Sequence, residues 1–187
     1  MTGRRGLVLA ELLVGTALGL AVLAGLTAAV GIAGRMLVVA GIRAESEDTA
    51  QLAMEALLLD VRRAGYDPTA GGVAALVDAR DDGLALAADL DGDGSVAPDS
   101  DESIAWRCAL ATRRLSRVVG RQSLPLADGV VGCAFLYLDG DALPLATPVA
   151  PADLPRIRAV ELALRLLPQG VSHPSSRTLR AALRAAP

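Results

Sequence analysis

The stretch that decides the fold is Gly6-Leu-Val-Leu-Ala-Glu11-Leu-Leu-Val14, which opens a long apolar run. Glu11 is the only charged residue between Arg5 and Arg35. Residues 12–34 give 23 uncharged positions, and roughly 20 are enough for a helix to cross a bilayer. An ionisable side chain within such a segment costs about 2–3 kcal/mol or more, so it marks a candidate functional site.

Charges on either side of the apolar run indicate its orientation. Arg4 and Arg5 precede the run, and Glu45, Glu47 and Asp48 follow it. Because positive residues stay on the cytoplasmic side, we expect a single membrane-spanning segment with the first residues in the cytoplasm and the following domain outside. Two alternatives remain open, an ordinary signal anchor with a snorkelling glutamate and a signal peptide cut within residues 27–29.

The helical pattern continues beyond the apolar run. Residues 44–63 contain neither proline nor glycine, and good helix formers dominate them. Gly65 and Pro68 supply the stop. We therefore predict one helix over 7–64, transmembrane over 7–42 and amphipathic over 44–64. Leu52, Ala56 and Leu59 recur at helical spacing and are the predicted buried stripe.

The remainder alternates as strands do. Alternation covers residues 84–89, 104–110, 131–137 and 161–166, which is typical of half-buried antiparallel strands. Turn sequences separate them at 81–83, 128–129 and 139–141, and four prolines in 144–155 indicate a surface loop. The tail 177–187 is compatible with a helix, but we predict a strand because it closes the sheet. The predicted fold class is α+β, a long N-terminal helix packed on one antiparallel sheet.

Composition excludes several functions. All 18 basic residues are arginine, and residues 43–187 carry a net charge of −5, because the chain carries −3 and residues 1–42 carry +2. An acidic domain does not favour nucleic acid. His173 is the only histidine, and neither a phosphate-binding glycine motif nor metal-type Cys/His spacing occurs, so we expect no enzyme. We predict that four arginines lie on the outward face of a strand and its turn: Arg113, Arg114, Arg117 and Arg121. The alternative is a docking surface for a sister subunit.

The two cysteines, Cys108 and Cys133, both follow the predicted membrane segment. An even count in an oxidising compartment predicts one disulfide bond. The alternative is two buried free thiols, because both residues share strand faces with aromatic residues.

Residues 78–102 contain nine acids and one arginine. Asp89, Asp91, Asp93 and Ser95 have the spacing of a calcium-binding loop, in which alternate oxygens converge on one cation. Ser100 stands where the bidentate acid is expected, and the candidate substitutes are Asp99, Asp101 and Glu102. No cofactor is required on this interpretation, but calcium is a candidate; the alternative is a solvated loop between two strands.

The segment from Gly6 to Val14 resembles the class III signal of type IV pilins and type II secretion pseudopilins. The resemblance implies cleavage after Gly6, N-methylation of the new N-terminal Leu7, and a role in assembly for Glu11 at the fifth mature position. Leu7 replaces the usual Phe, and Ala10 is smaller than the usual branched residue. The implied domains are a leader at 1–6, the transmembrane half of the helix at 7–42 and a periplasmic pilin-like domain at 43–187.

A basic alternating strand and an arginine-containing last strand follow the segments Leu84–Gly94, Ser103–Arg107, Arg114–Arg117, Pro125–Val130 and Phe135–Gly140. This order, over most of residues 7–185, is similar to that of PilW-type minor pilins and of the J-type minor pseudopilin of type II secretion. This resemblance implies a sparse subunit at the filament tip that helps initiate assembly. The implied partners are the prepilin peptidase and N-methyltransferase, other minor and major pilins, and the inner-membrane assembly platform.

Overall fold

The computed structural model describes residues 3–183, and for residues 3–10 it describes the helix but not the side chains. The chain divides into two compact units, Met1–Ile42 and Arg43–Pro187. The secondary structure consists of α1 (Gly3–Arg63), β1 (Leu76–Arg80), β2 (Gly83–Ala87), β3 (Ser103–Ala109), β4 (Arg114–Val119), β5 (Gln122–Asp128), β6 (Val130–Leu138), a 3-10 turn (Leu154–Arg156), β7 (Ala159–Leu166) and β8 (Ser175–Ala182). The predicted α+β class is confirmed.

Residues 11–38 of α1, which lie in the first unit, have a uniformly exposed surface. Every side chain over residues 11–38 is exposed, although most are apolar. The hydroxyl groups of Thr16 and Thr27 donate to the carbonyl oxygens of Leu13 and Ala24, at 3.0 and 2.9 Å. These side chains therefore need no water, which suits an apolar surrounding.

The buried stripe of α1 in the second unit differs from the predicted one. Leu52 and Leu59 are 67% and 60% exposed, and the buried apolar residues are instead Ala50, Ala53, Met54, Leu57, Val61 and Ala64. The prediction was wrong because both faces of the helix carry apolar residues at helical spacing. Alanine occupies the contact because its small side chain lets the helix approach the strands closely.

The strands form two antiparallel sheets rather than the single sheet predicted. Sheet A has the order β1-β2-β3-β4-β5, and sheet B has the order β6-β7-β8. Only Gly129 separates β5 from β6, and its φ of 75° is one that glycine adopts without strain. At this turn the chain passes from sheet A to sheet B. The alternation of residues within each strand does not indicate that change.

Most of the predicted strand faces are confirmed. The side chains of the three leucines Leu162, Leu164 and Leu166 are buried on β7. On β6 the predicted Val131 is exposed and Val130 is buried, because the pairing with β7 shifts between Val130 and Gly132. A bulge of this kind transfers the following residues to the opposite face.

Three strands were not specifically predicted. β1 and β5 show only weak alternation of apolar and polar residues. For β4, the sequence analysis predicts a strand only as the location of the arginine group. The predicted strand in the tail is confirmed as β8, which pairs with β7 over its whole length. Residues 184–187 of that prediction lie outside the described residues.

One core joins helix and both sheets. Its largest buried side chains include Trp106 on β3 and Tyr137 on β6. The Tyr137 hydroxyl lies 2.8 and 2.7 Å from the carbonyl oxygens of Arg80 and Gly83, so its single proton serves either acceptor. Burial raises the pKa of this hydroxyl. Tyr137 thereby attaches sheet B to the β1–β2 turn of sheet A.

Candidate functional site

Glu11 is exposed on α1, and it is the only charged residue between Arg5 and Arg35. Its carboxylate has no hydrogen bond or ion pair with any side chain that the structure describes. The predicted cleavage and methylation positions, Gly6 and Leu7, are among the residues whose side chains lie outside the described part. Any partner of Glu11 must therefore come from outside the described residues.

Five glycines give residues 12–34 of the helix an open surface: Gly15, Gly19, Gly25, Gly31 and Gly34. A methyl group added at any of them would meet nothing within 4 Å. No contact within the described chain therefore explains these glycines. Small residues of this kind let a second helix approach closely in lipid.

Among the described residues, one helix is long and apolar enough to cross a membrane, the segment Glu11–Arg63. Such a helix near the N-terminus is consistent with a membrane anchor or with a signal sequence. Length and composition do not distinguish the two.

The acidic loop lies between β2 and β3, at residues 88–102. Asp89, Asp91 and Glu102 each place a carboxylate oxygen within 4.8 Å of the other two. Asp89 and Glu102 are buried, whereas Asp91 is exposed. Three converging carboxylates are oxygen ligands of the type that calcium uses.

Backbone donors already stabilise Glu102. Its Oε1 accepts a hydrogen bond from the N–H of Leu90 at 2.9 Å, and its Oε2 accepts one from the N–H of Ala97 at 3.0 Å. The hydroxyl of Ser100 lies 3.3 Å from Oε2. The hydrogen bond from Ala97 is the largest influence that holds the pKa of Glu102 below its usual value, so the group stays ionised.

Backbone N–H groups also hold the carboxylate of Asp89 in place. Its two carboxylate oxygens accept hydrogen bonds from the N–H groups of Gly92 and Gly94, at 2.7 and 3.0 Å. Both glycines have positive φ values, 79° and 81°. The loop therefore curves around Asp89 through backbone conformations that favour glycine.

The other predicted ligands take different positions. Asp93 accepts hydrogen bonds from the N–H and the hydroxyl of Ser95, each at 2.8 Å, and the Ser95 hydroxyl is the main cause of its lowered pKa. Asp99 pairs with Arg121. Asp101 is exposed and belongs to no carboxylate cluster among the described residues.

The structure thus brings together two of the predicted ligands, Asp89 and Asp91, with Glu102. Counting from Asp89, Glu102 comes two residues later than the twelfth position that the calcium-loop pattern assigns to an acid. A longer loop brings Glu102 back to the same place, so fixed spacing predicted the first two members of the carboxylate cluster, and Glu102 was only one of three candidates for the last.

Cys108 and Cys133 form a disulfide bond, with 6.3 Å between their Cα atoms. Cys108 lies on β3 of sheet A, and Cys133 lies on β6 of sheet B. The bond therefore joins the two sheets, and it indicates an oxidising, extracytoplasmic location for this domain.

A buried charged network was missed by the sequence analysis. Asp60 on α1 is 4% exposed. Its carboxylate accepts hydrogen bonds from Nε and Nη2 of Arg117, at 2.6 and 2.8 Å, and from Nε1 of Trp106, at 2.8 Å. Hydrogen bonding to Asp60 raises the pKa of Arg117. The network fixes the rotation of the helix on sheet A.

The sequence feature that indicates this network is an acid, Asp60, on the buried face of α1, one turn after Leu57. It can be recognised only once the buried face of the helix is assigned correctly. Arg117 consequently differs from the outward-facing role predicted for its group, because it points toward the helix.

The remaining arginines of the group have local partners. Arg113 donates to the carbonyl oxygen of Leu167 at 2.6 Å, and Arg114 pairs with Asp128 at 2.7 Å. His173 is exposed in the loop between β7 and β8, as predicted.

Together these features define a pilin-like architecture, in which a long N-terminal apolar helix continues into a domain where it packs on antiparallel sheets. Comparison with models of known protein families and with curated proteins finds no match. The assignment of a class therefore depends on the fold and on the N-terminal segment.

Proposed function

We propose that this chain is a minor pilin, processed by a prepilin peptidase after Gly6 and incorporated at or near the tip of a type IV pilus to initiate assembly. The observation that supports this most is Glu11. It stands without a described partner on a helix whose residues 12–34 are uncharged and exposed.

The chemistry of the segment explains the need for a second subunit. Cleavage after Gly6 creates a cationic amine at Leu7, next to the apolar run. A carboxylate on a neighbouring, axially shifted helix pairs with that amine, so each charge offsets the desolvation of the other. The open glycine surface lets the helices approach closely enough for this contact.

The proposal implies an inner-membrane anchor with the disulfide-bonded domain in the periplasm. Its partners are the processing peptidase and N-methyltransferase, the assembly platform, and other minor and major pilins. The role is structural rather than enzymatic.

The test is the substitution Glu11→Ala in the native host. We expect the variant to insert in the membrane but to be lost from purified filaments. Glu45→Ala is the matched control, because Glu45 is exposed on the same helix but lies outside the apolar run. Normal incorporation of Glu11→Ala into filaments would contradict the proposal.

A type II secretion pseudopilus is the alternative assembly, since the same N-terminal chemistry serves both. Deletion of the gene separates them. Loss of surface pili with intact protein secretion supports the pilus, and the reverse result supports the pseudopilus.

Calcium binding, with the exposed domain acting as a binding or adhesive module, is the second candidate function. The convergence of Asp89, Asp91 and Glu102 favours it. Calorimetric titration of the full chain in detergent tests it, with Glu102→Gln as the variant and Asp101→Asn as the matched control. Binding heat that only Glu102→Gln abolishes supports a calcium site, and no heat at millimolar calcium eliminates it.

A further inference from the structure

Sheet edges need protection because their unpaired backbone groups attract other strands. Both edges of sheet A are protected. At the β1 edge, the N–H of Val149 donates to the carbonyl oxygen of Ala79 at 2.9 Å, and the pairing of β1 is interrupted between Leu76 and Asp78. The other edge strand, β5, has Pro125 at its centre, and proline cannot donate a hydrogen bond to an added strand.

The β6 edge of sheet B is covered by other parts of the chain. The N–H of Phe135 donates to the carbonyl oxygen of Asp81 at 2.9 Å, and the N–H of Leu145 donates to the carbonyl oxygen of Tyr137 at 2.8 Å. The β1–β2 turn and the segment after β6 therefore occupy this edge.

The opposite edge of sheet B, β8, has none of these protections within residues 3–183. It is eight residues long, contains no proline, and pairs with β7 without a register shift. Among the described residues, no backbone hydrogen bond from outside sheet B reaches residues 175–182. β8 is thus a straight, open edge, which is the geometry that receives an additional strand from a partner.

The charges on β8 indicate the kind of strand that fits. Arg177 and Arg180 are exposed, and residues 175–183 contain no acid. Arg177 forms an ion pair with Glu47 at 3.3 Å. Arg180 lies opposite Glu161 on β7 but forms no ion pair among the described residues. Opposite charges on adjacent strands stabilise pairing and like charges oppose it. Antiparallel pairing of two β8 strands would place no acid of the second copy beside Arg180, because residues 175–183 contain none, so a second copy of this chain supplies no partner for that charge.

We propose that the free edge of β8 binds an extended, acidic segment of a partner protein, which adds a fourth strand to sheet B. The partner's backbone supplies the hydrogen bonds, and an acidic side chain on its outer face pairs with Arg180. This inference does not depend on the N-terminal segment or on the proposed filament role.

Hydrogen exchange of the full chain in detergent tests the proposal with a synthetic eight-residue peptide that alternates valine and glutamate. We expect the peptide to slow exchange in residues 175–182 and to leave the edge strand β5 unchanged. Arg180→Glu should weaken binding roughly tenfold, as loss of a charge-assisted contact predicts. The matched control is Arg107→Glu, because Arg107 is an exposed arginine on sheet A.

Two further peptides separate backbone pairing from simple charge attraction. A version of the acidic peptide with N-methylated backbone amides should not bind, because it cannot complete the strand ladder. A version with lysine in place of glutamate should bind more weakly than the acidic peptide. No slowing of exchange in β8 at millimolar acidic peptide would overturn the proposal, as would equal protection by the N-methylated or lysine peptide. Protection of β8 that grows with protein concentration in the absence of peptide would identify a second copy as the occupant and would also overturn it.

Discussion

Single residues fix the helix and the loops of this domain, and Asp60 is the clearest case. Its carboxylate accepts three hydrogen bonds from Trp106 and Arg117. Removing one partner of a buried ion pair leaves the other charge without compensation. Because the network connects α1 to both β3 and β4, its effect is larger than that of an exposed ion pair.

We expect Asp60→Ala to destabilise the domain by about 3 kcal/mol, the lower end of the range for buried pairs, because the Arg117 side chain is 22% exposed. Urea denaturation of the full chain in detergent, followed by tryptophan fluorescence, measures the change. Glu55→Ala is the control, since Glu55 is exposed on the same helix. Equal effects of the two substitutions would contradict the importance of the network.

Asp67 organises the loop after α1 through its carboxylate. It accepts hydrogen bonds from the N–H groups of Gly72 and Val73, at 2.7 and 3.1 Å, and from Thr69. The hydrogen bond from Val73 is the main cause that lowers the pKa of Asp67 to about 2. The unfolded chain has a pKa near ~4 for this group.

This difference predicts a pH dependence with a definite sign. Because the folded pKa is the lower one, the stabilisation is complete above about pH 4 and is lost as pH falls toward about 2. Asp67→Asn should be less stable than the wild type at neutral pH. The difference in their free energies of unfolding should shrink as the pH falls from about 4 to about 2. Urea midpoints at several pH values measure it, and a deficit that does not change with pH would rule out the ionised carboxylate as the cause.

At the scale of elements, the packing of α1 shows what the sequence could and could not predict. The existence of the helix and its end near residue 64 followed from the apolar run, from the absence of helix breakers and from Gly65. The buried face did not follow, because an alanine-rich face and a leucine-containing face have the same period. Only the approach of the strands decides which face is buried.

The corrected face predicts an asymmetry between two neighbouring positions. Ala53→Leu should destabilise the domain by about 1–3 kcal/mol, because extra atoms do not fit a close-packed contact. Leu52→Ala should change stability by less than about 0.5 kcal/mol, as is usual for exposed positions. Thermal unfolding of both variants tests this, and a larger effect of Leu52→Ala would restore the face first predicted.

The strands were predicted in part, but their division into two sheets was not. Alternation identified β2, β3, β6 and β7 because each has one buried face. It did not show that β5 and β6 belong to different sheets, since the change occurs at the single residue Gly129. The composition of the acidic loop was enough to locate it. It did not favour Glu102 among the candidate acids, because the spacing of residues along the chain does not show which of them lie close together in a folded loop.

At the scale of the whole domain, the disulfide bond between Cys108 and Cys133 connects sheet A to sheet B across 25 residues of sequence. In the chain-entropy model, closing a loop of this length stabilises the folded state by about 3.5 kcal/mol.

Replacing both cysteines by serine should therefore lower the free energy of unfolding by about 3–4 kcal/mol. The wild type in reductant should show a comparable loss, whereas reductant should leave the double variant unchanged. Denaturation curves with and without reductant measure both effects. An unchanged midpoint for reduced wild type, with complete reduction verified by thiol counting, would show that the bond contributes little to stability.

The central claim is that the chain loses a short leader and keeps its apolar helix, so that Glu11 meets a newly formed amine on a neighbouring subunit. The most direct test is the intact mass and N-terminal sequence of the protein purified from the membrane of its native host. We predict a mature chain that begins at N-methylated Leu7. A chain that retains Met1, or one that begins after a cut within residues 27–29, would contradict the account.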